Sequence, residues 1–157
     1  ALAGLIQQHR ADLVATVETH EQRLARLKGL LPAGAVMPTV HVEVAEQHLS
    51  RPVPDPAVQT EIQHTLQALG FTLVDDAAKA AWKISGEAFS ERGSQRGNLI
   101  TCRARVELKI QKAGSDRFQV DRQTDVALDL AEHIAAKSAL EHAGVALADR
   151  LVAVISR

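Results

Sequence analysis

The chain has 157 residues, 46% of them hydrophobic and 24% charged, which suits one globular domain able to bury a sizeable core. Aromatic residues make up only 3% and tyrosine is absent, so the core must be assembled from Ala, Leu, Val and Ile. A formal net charge of −1 supplies no field to draw the chain to a polyanion, which argues against nucleic acid as a partner. The single cysteine, Cys102, excludes an internal disulfide and a thiolate-based zinc site.

The first predicted element is a long amphipathic helix over residues 1–31. Its stripe is Ile6, Leu13, Val17, Leu24, Leu27 and Leu31 at steps of three, four or seven, with His9 and His20 on the same side. The stripe would pack on the chain's own sheet or pair with a second copy. Gln7, Gln8, His9, Arg10 and Asp12 interrupt it too early for the roughly 20 apolar residues of a membrane span. The start at Ala1 fits either a mature product of signal cleavage or a trimmed chain. The first is the expectation, giving a periplasmic or cell-envelope address with the cytoplasm left open. Gly29, Pro32, Gly34 and Pro38 then break the helix, and the predicted boundary lies there, between a leading helix (1–31) and an α/β domain (39–157).

Val40, Val42 and Val44 alternate with His41 and Glu43, the mark of a strand with one covered face. Arg51 to Pro56 carries three prolines and reads as an extended linker, with Asp55 placed to cap a helix that opens at Pro56. That helix buries Val58, Ile62, Leu66 and Leu69 and stops at Gly70; Phe71, Leu73 and Val74 follow as a short strand. A third strand runs from Trp82 to Phe89, and Gly93 to Asn98 reads as a mobile hairpin loop. The clearest alternation follows. Ile100, Cys102, Ala104, Val106, Leu108 and Ile110 point one way, and Thr101, Arg103, Arg105, Glu107, Lys109 and Gln111 the other. A turn at Gly114 returns the chain through Phe118 and Val120. Asp129 and Glu132 suggest a capping box for a last helix whose stripe is Leu130, Ile134, Leu140, Leu147, Leu151 and Ile155. Its Ala-rich flank favours close packing. The predicted fold class is α+β: a mixed sheet of four to five strands, helices on one face, a polar opposite face, and a long leading helix.

Ile84 to Glu91, Cys102 to Lys109, Asp121-Arg122-Gln123 and Ala135 to Gly144 together resemble the curli-secretion lipoprotein (CsgG-like) superfamily. The same α/β domain occurs in the amino-terminal domain of TolB, in penicillin-binding-protein activator lipoproteins and in flagellar assembly protein T. The resemblance covers about Thr39 to Ile155 and implies an envelope-associated binding or assembly module. Two departures limit it. Only Asp75 to Ala81 stands where these domains usually place a further helix. A curli-type pore would also need membrane-spanning hairpins and a lipidated N-terminal cysteine that are not in this sequence, so the pore activity is not carried over.

Chemistry-bearing clusters are scarce. None of the seven histidines sits in an H-x-x-x-H or H-E-x-x-H arrangement, and His41 and His48 fall on opposite sides of one strand, so no metal site or other cofactor is expected. No G-x-S-x-G elbow is present, Cys102 lies on the inward phase of its strand, and Gly93 to Asn98 lacks a phosphate-loop lysine. The expectation is a protein that is not an enzyme. The surface with character is the outward face of the hairpin, where Arg103, Arg105, Lys109, Arg117 and Arg122 form a candidate partner surface with acids between them. It carries no aromatic residue for stacking bases. The expected partner is another envelope protein or a second copy of the chain, the latter meeting through the leading helix (Ile6, Leu13, Val17, Leu24, Leu27). The remaining alternative is an anionic ligand on the arginine face.

Overall fold

In the computed structural model, which describes residues 18–157, helix α1 (His20–Lys28) starts at an extended Thr19. A reciprocal capping box fixes that start: the Thr19 hydroxyl accepts the Gln22 N–H, and the Gln22 side chain accepts the Thr19 N–H. The helix expected to run continuously over 1–31 is therefore broken at Thr19, and the described helix is short. Of its proposed stripe, Leu24 and Leu27 lie on α1, while Ile6, Leu13 and Val17 fall outside the described residues.

Strand β1 (Thr39–His48) forms as its valine alternation predicts, and its hairpin partner β2 (Arg51–Pro52) occupies what reads in sequence as linker. The turn between them holds Leu49 and Ser50 at φ of +52° and +67°. Neither residue favours that region. Leu49 is retained there by packing beside Cys102, Ala135 and Ala136 in a small second core. Helix α2 (Ala57–Ala68) and the short β3 (Thr72–Leu73) follow, joined by Gly70 at φ +93°, with the Phe71 N–H returning to the Leu66 carbonyl. A single 3₁₀ turn (Ala77–Lys79), its start capped by the Asp76 side chain on the Ala78 N–H, follows β3.

The meander is longer than its alternation suggests. Strand β4 (Trp82–Arg96) does not stop at Phe89, and the expected loop over residues 93–98 shrinks to a turn at Gly97 and Asn98. The reason is the partner. Strand β5 (Leu99–Lys112) continues the ladder, with a bulge between Arg92 and Gln95 that shifts the register by one residue beyond it. Strand β6 (Phe118–Asp129) pairs with β5 without a bulge. The sheet has six strands in the order β2-β1-β4-β5-β6, with β3 beside the start of β1; β1 runs parallel to β4 and β3, and the rest is antiparallel.

The last helix, α3 (Glu132–Ile155), crosses the sheet beside α2. Gly144 lets them meet closely, because a Cβ there would lie 3.1 Å from the Glu61 Cβ and 3.3 Å from the Val58 Cα. Leu140, Leu147, Leu151 and Ile155 are buried as predicted, but Leu130 and Ile134 are exposed and Ala135 and Ala136 take their place inward. The capping box does not form: Ala131 is the N-cap, Asp129 accepts the Ala131 N–H, and Glu132 pairs with Arg92. The core lies between these helices and Val40, Val42, Val44, Ile84, Val106, Leu108 and Ile110 of the sheet, and Leu27 of α1 belongs to it. The architecture is α+β, a mixed sheet with its helices on one face.

Candidate functional site

Cross-strand partners share a face, so the register of β4, β5 and β6 fixes which side chains meet on the side away from the helices. Arg103 lies between Glu91 and Val126, Arg105 between Phe89 and Thr124, Glu107 between Glu87 and Arg122, and Lys109 between Ser85 and Val120. Arg103, Arg105, Lys109 and Arg122 are thereby gathered on one exposed surface. Arg117 is not with them. It stands in the turn before β6 and lines a separate depression with Trp82 and Val154.

The charges on this face are only partly compensated. Arg122 is held 2.6 Å from Glu107, which relieves the like-charge pair that Glu87 and Glu107 would otherwise form. The Lys109 ammonium sits 4.2 Å from the centre of the Phe118 ring. Arg103 and Arg105 make no ion pair with any described residue. A shallow depression opens between Phe89, Arg105, Lys109, Arg122 and Thr124, with Glu87 and Glu107 in its lining.

The face is not uniformly polar, contrary to the sequence expectation. Phe118, Val120, Val126 and Leu128 on β6 and Phe89 on β4 each expose 41% or more of their surface. On β6 the usual phase is inverted. Its helix-side residues are Gln119, Asp121, Gln123 and Asp125, and Arg150 of α3 reaches Asp121 at 2.9 Å and Gln123 at 2.9 Å. The outward row holds the apolar side chains. Alternation alone gives the strand but not which phase faces inward.

The titratable groups inside the domain are committed to structure. Glu46 continues the inward phase of Val40, Val42 and Val44, and its side chain is wholly buried. Its carboxylate accepts the Ala57 and Val58 N–H groups at 2.9 and 3.1 Å, and it lies 2.7 Å from His48 Nε2. It therefore caps α2 from a neighbouring strand, where a negative charge is favoured by the helix dipole. The cap expected from Asp55 does not form, since Asp55 is exposed and faces Lys137 instead. Reading the β1 alternation two residues further would have exposed Glu46 as an inward carboxylate needing partners. Arg23 is likewise buried, bonded to Asp149 at 2.7 Å and to Thr65 and the Val145 carbonyl. His41 Nδ1 lies 2.9 Å from the Val74 carbonyl. Cys102 is buried, and desolvation, with the charge of Glu132 adding to it, pushes its thiol pKa up, away from nucleophilic thiolate. Among the described residues no three His, Cys, Asp or Glu side chains cluster as a metal site would need.

No family model matches the sequence, and no curated protein matches it. Solved structures do match. A minor lipoprotein of Acinetobacter baumannii is 18% identical with a TM-score of 0.48, covering 77% of this chain and 92% of its own. A hypothetical protein of Chlamydia trachomatis is 10% identical with a TM-score of 0.52, over 77% of this chain and 98% of its own. The PelC dodecamer of Paraburkholderia phytofirmans is 15% identical with a TM-score of 0.47, over 78% and 92%. At these identities the likeness is one of fold. No helix among the described residues is long and apolar enough to cross a membrane.

Proposed function

We propose that this chain is a non-enzymatic binding or assembly module of the bacterial envelope, acting through protein–protein contacts on the outward face of its sheet. The observation that carries the reading is the composition of that face: five exposed apolar side chains interleaved with Arg103, Arg105 and Lys109. An apolar patch rimmed by charge is the anatomy of a contact surface. The non-enzymatic part is supported by the structural employment of Glu46, His48, His41 and Cys102. The envelope address rests on the resemblance of Ile84–Glu91, Cys102–Lys109 and Ala135–Gly144 to the CsgG-like domains.

A partner for this face would bring an apolar centre with acidic groups opposite Arg103 and Arg105. The leading helix offers less to a partner, because Leu27 is fully buried in the domain's own core. The test is photo-crosslinking in the bacterium of origin, with the reactive residue placed at Phe89 and, as a control, at the exposed His142 on α3. One discrete protein is expected to be trapped from Phe89 and not from His142, with the yield reduced several-fold by Arg105→Glu with Lys109→Glu. Equal trapping from both positions, or none from Phe89, would overturn the reading.

A further inference from the structure

Strand β6 is an edge. It is paired with β5 from Phe118 opposite Gln111 to Asp129 opposite Ile100, and no described strand lies on its other side. A long edge strand displays a row of unused N–H and C=O groups, and proteins usually blunt it with proline, lysine, inward-pointing charges, a bulge or shortness. β6 has twelve residues, no proline, no lysine and no register shift against β5; of these devices it carries only the helix-side Asp121 and Asp125, the first of them paired with Arg150. Three side-chain contacts guard it: the Val126 N–H donates to the Asp125 carboxylate at 3.1 Å, the Gln123 amide donates to the Thr124 carbonyl at 3.4 Å, and the Arg150 guanidinium donates to the Arg122 carbonyl at 3.1 Å. That carbonyl therefore points toward the free edge, and its second lone pair remains available.

The outward row of β6 reads Phe118, Val120, Arg122, Thr124, Val126, Leu128, apolar at both ends and polar in the middle. We infer that β6 pairs antiparallel with β6 of a second copy, about a two-fold axis at Gln123. In that register Phe118 faces the copy's Leu128, Val120 faces Val126 and Arg122 faces Thr124, so both ends of the seam are closed by apolar pairs. Slipping by two residues in one direction sets Arg122 against Arg122. Slipping in the other sets Arg122 against Val126. Side chains on one face pair directly across a seam, so both alternatives are penalised. On the helix side Gln123 meets Gln123, and Asp121 meets Asp125. Their like charges are offset because Asp121 already carries Arg150. An isologous seam of this kind closes on itself, giving a dimer with one continuous sheet.

This inference rests on the reading of the protein as an assembly module and names one partner, a second copy. The experiment is light scattering on the full chain with Val120→Lys, Val126→Glu and their equimolar mixture. The wild type is expected to be dimeric. Each single substitution should weaken the dimer by about tenfold or more, since the mismatch occurs twice per seam. The mixture should restore a heterodimer, in which the new lysine faces the new glutamate and the other end keeps its valine pair. Because both sites are exposed, folding is checked independently by circular dichroism. As a second measure, Gln123→Cys should form an interchain disulfide under mild oxidation whereas Gln119→Cys should not, because only residue 123 meets itself at disulfide distance. A monomeric wild type, a dimer indifferent to both substitutions, or equal crosslinking from 119 and 123 would overturn the seam. The broader reading fails separately, when Phe89 traps no protein.

Discussion

The two outer strands of the sheet, β1 and β6, are handled in opposite ways. The outer edge of β1 is covered along its length: β3 pairs with Thr39 and Val40, the Gln59 side chain takes the Val44 N–H at 2.9 Å, and β2 closes over Gln47 and His48. Its valines face the helices, and Glu46 in the same phase ties strand to helix. The edge of β6 meets no further strand among the described residues, only the side chains of Arg150, Gln123 and Asp125, and its apolar residues face away from the helices. β1 belongs to the interior of one molecule, whereas β6 has the character of a strand awaiting a neighbour. Edge protection and side-chain phase agree on that distinction although they are independent features.

One substitution made in both strands sharpens the contrast most. Val44→Glu buries an unpaired carboxylate and should cost about 4 kcal/mol in denaturant unfolding, followed by the fluorescence of Trp82 at protein concentrations low enough for the chain to be monomeric, while Val126→Glu under the same conditions should stay within about 0.5 kcal/mol. If the two cost the same, the assignment of phases is wrong. Next in size is Glu46→Ala, which strands two helix-end amides and His48 in the interior and should cost about 3 kcal/mol. Hydrogen exchange should then accelerate first at the Ala57 and Val58 amides. Smallest is Gln59→Ala, which uncovers the Val44 N–H and should cost about 1 kcal/mol without altering the oligomeric state. A new association caused by Gln59→Ala would mean that β1 too is an edge kept closed by one side chain.

Much of this fold was legible because period-two and helical spacing are local signals. The strands at Val40 and at Ile100 to Ile110, helix α2 and its glycine stop, and the buried Leu140, Leu147, Leu151 and Ile155 all follow from it. What escaped depends on neighbours. Nothing local tells that Arg51–Pro52 finds β1, or that polar residues 93–96 are held in register by β5. The Thr19–Gln22 capping box was present as a local signal, and it outweighs the stripe that seemed to run through it. On the candidate surface, Arg103, Arg105 and Lys109 came from strand phase, whereas Arg117 and Arg122 were grouped by sequence proximity; β6 brings Arg122 onto the face and the turn carries Arg117 elsewhere. The inverted phase of β6 was hidden because Phe118 and Val120 look like core residues until Arg150 is seen bonding the other side.

The parallel pairing of β1 with β4 sets Val40 against Trp82, whereas β4 turns into β5 through Gly97 and Asn98. Closing the first contact requires the intervening chain, α2 included, to give up its freedom before any ladder bond repays it; closing the second requires almost none. The β4-β5-β6 meander is therefore the part of the chain able to assemble early. During that interval it has two open sides, one awaiting β1 from its own molecule and one at β6, so the rate at which the N-terminal third arrives governs how long the newly made sheet is exposed to its neighbours.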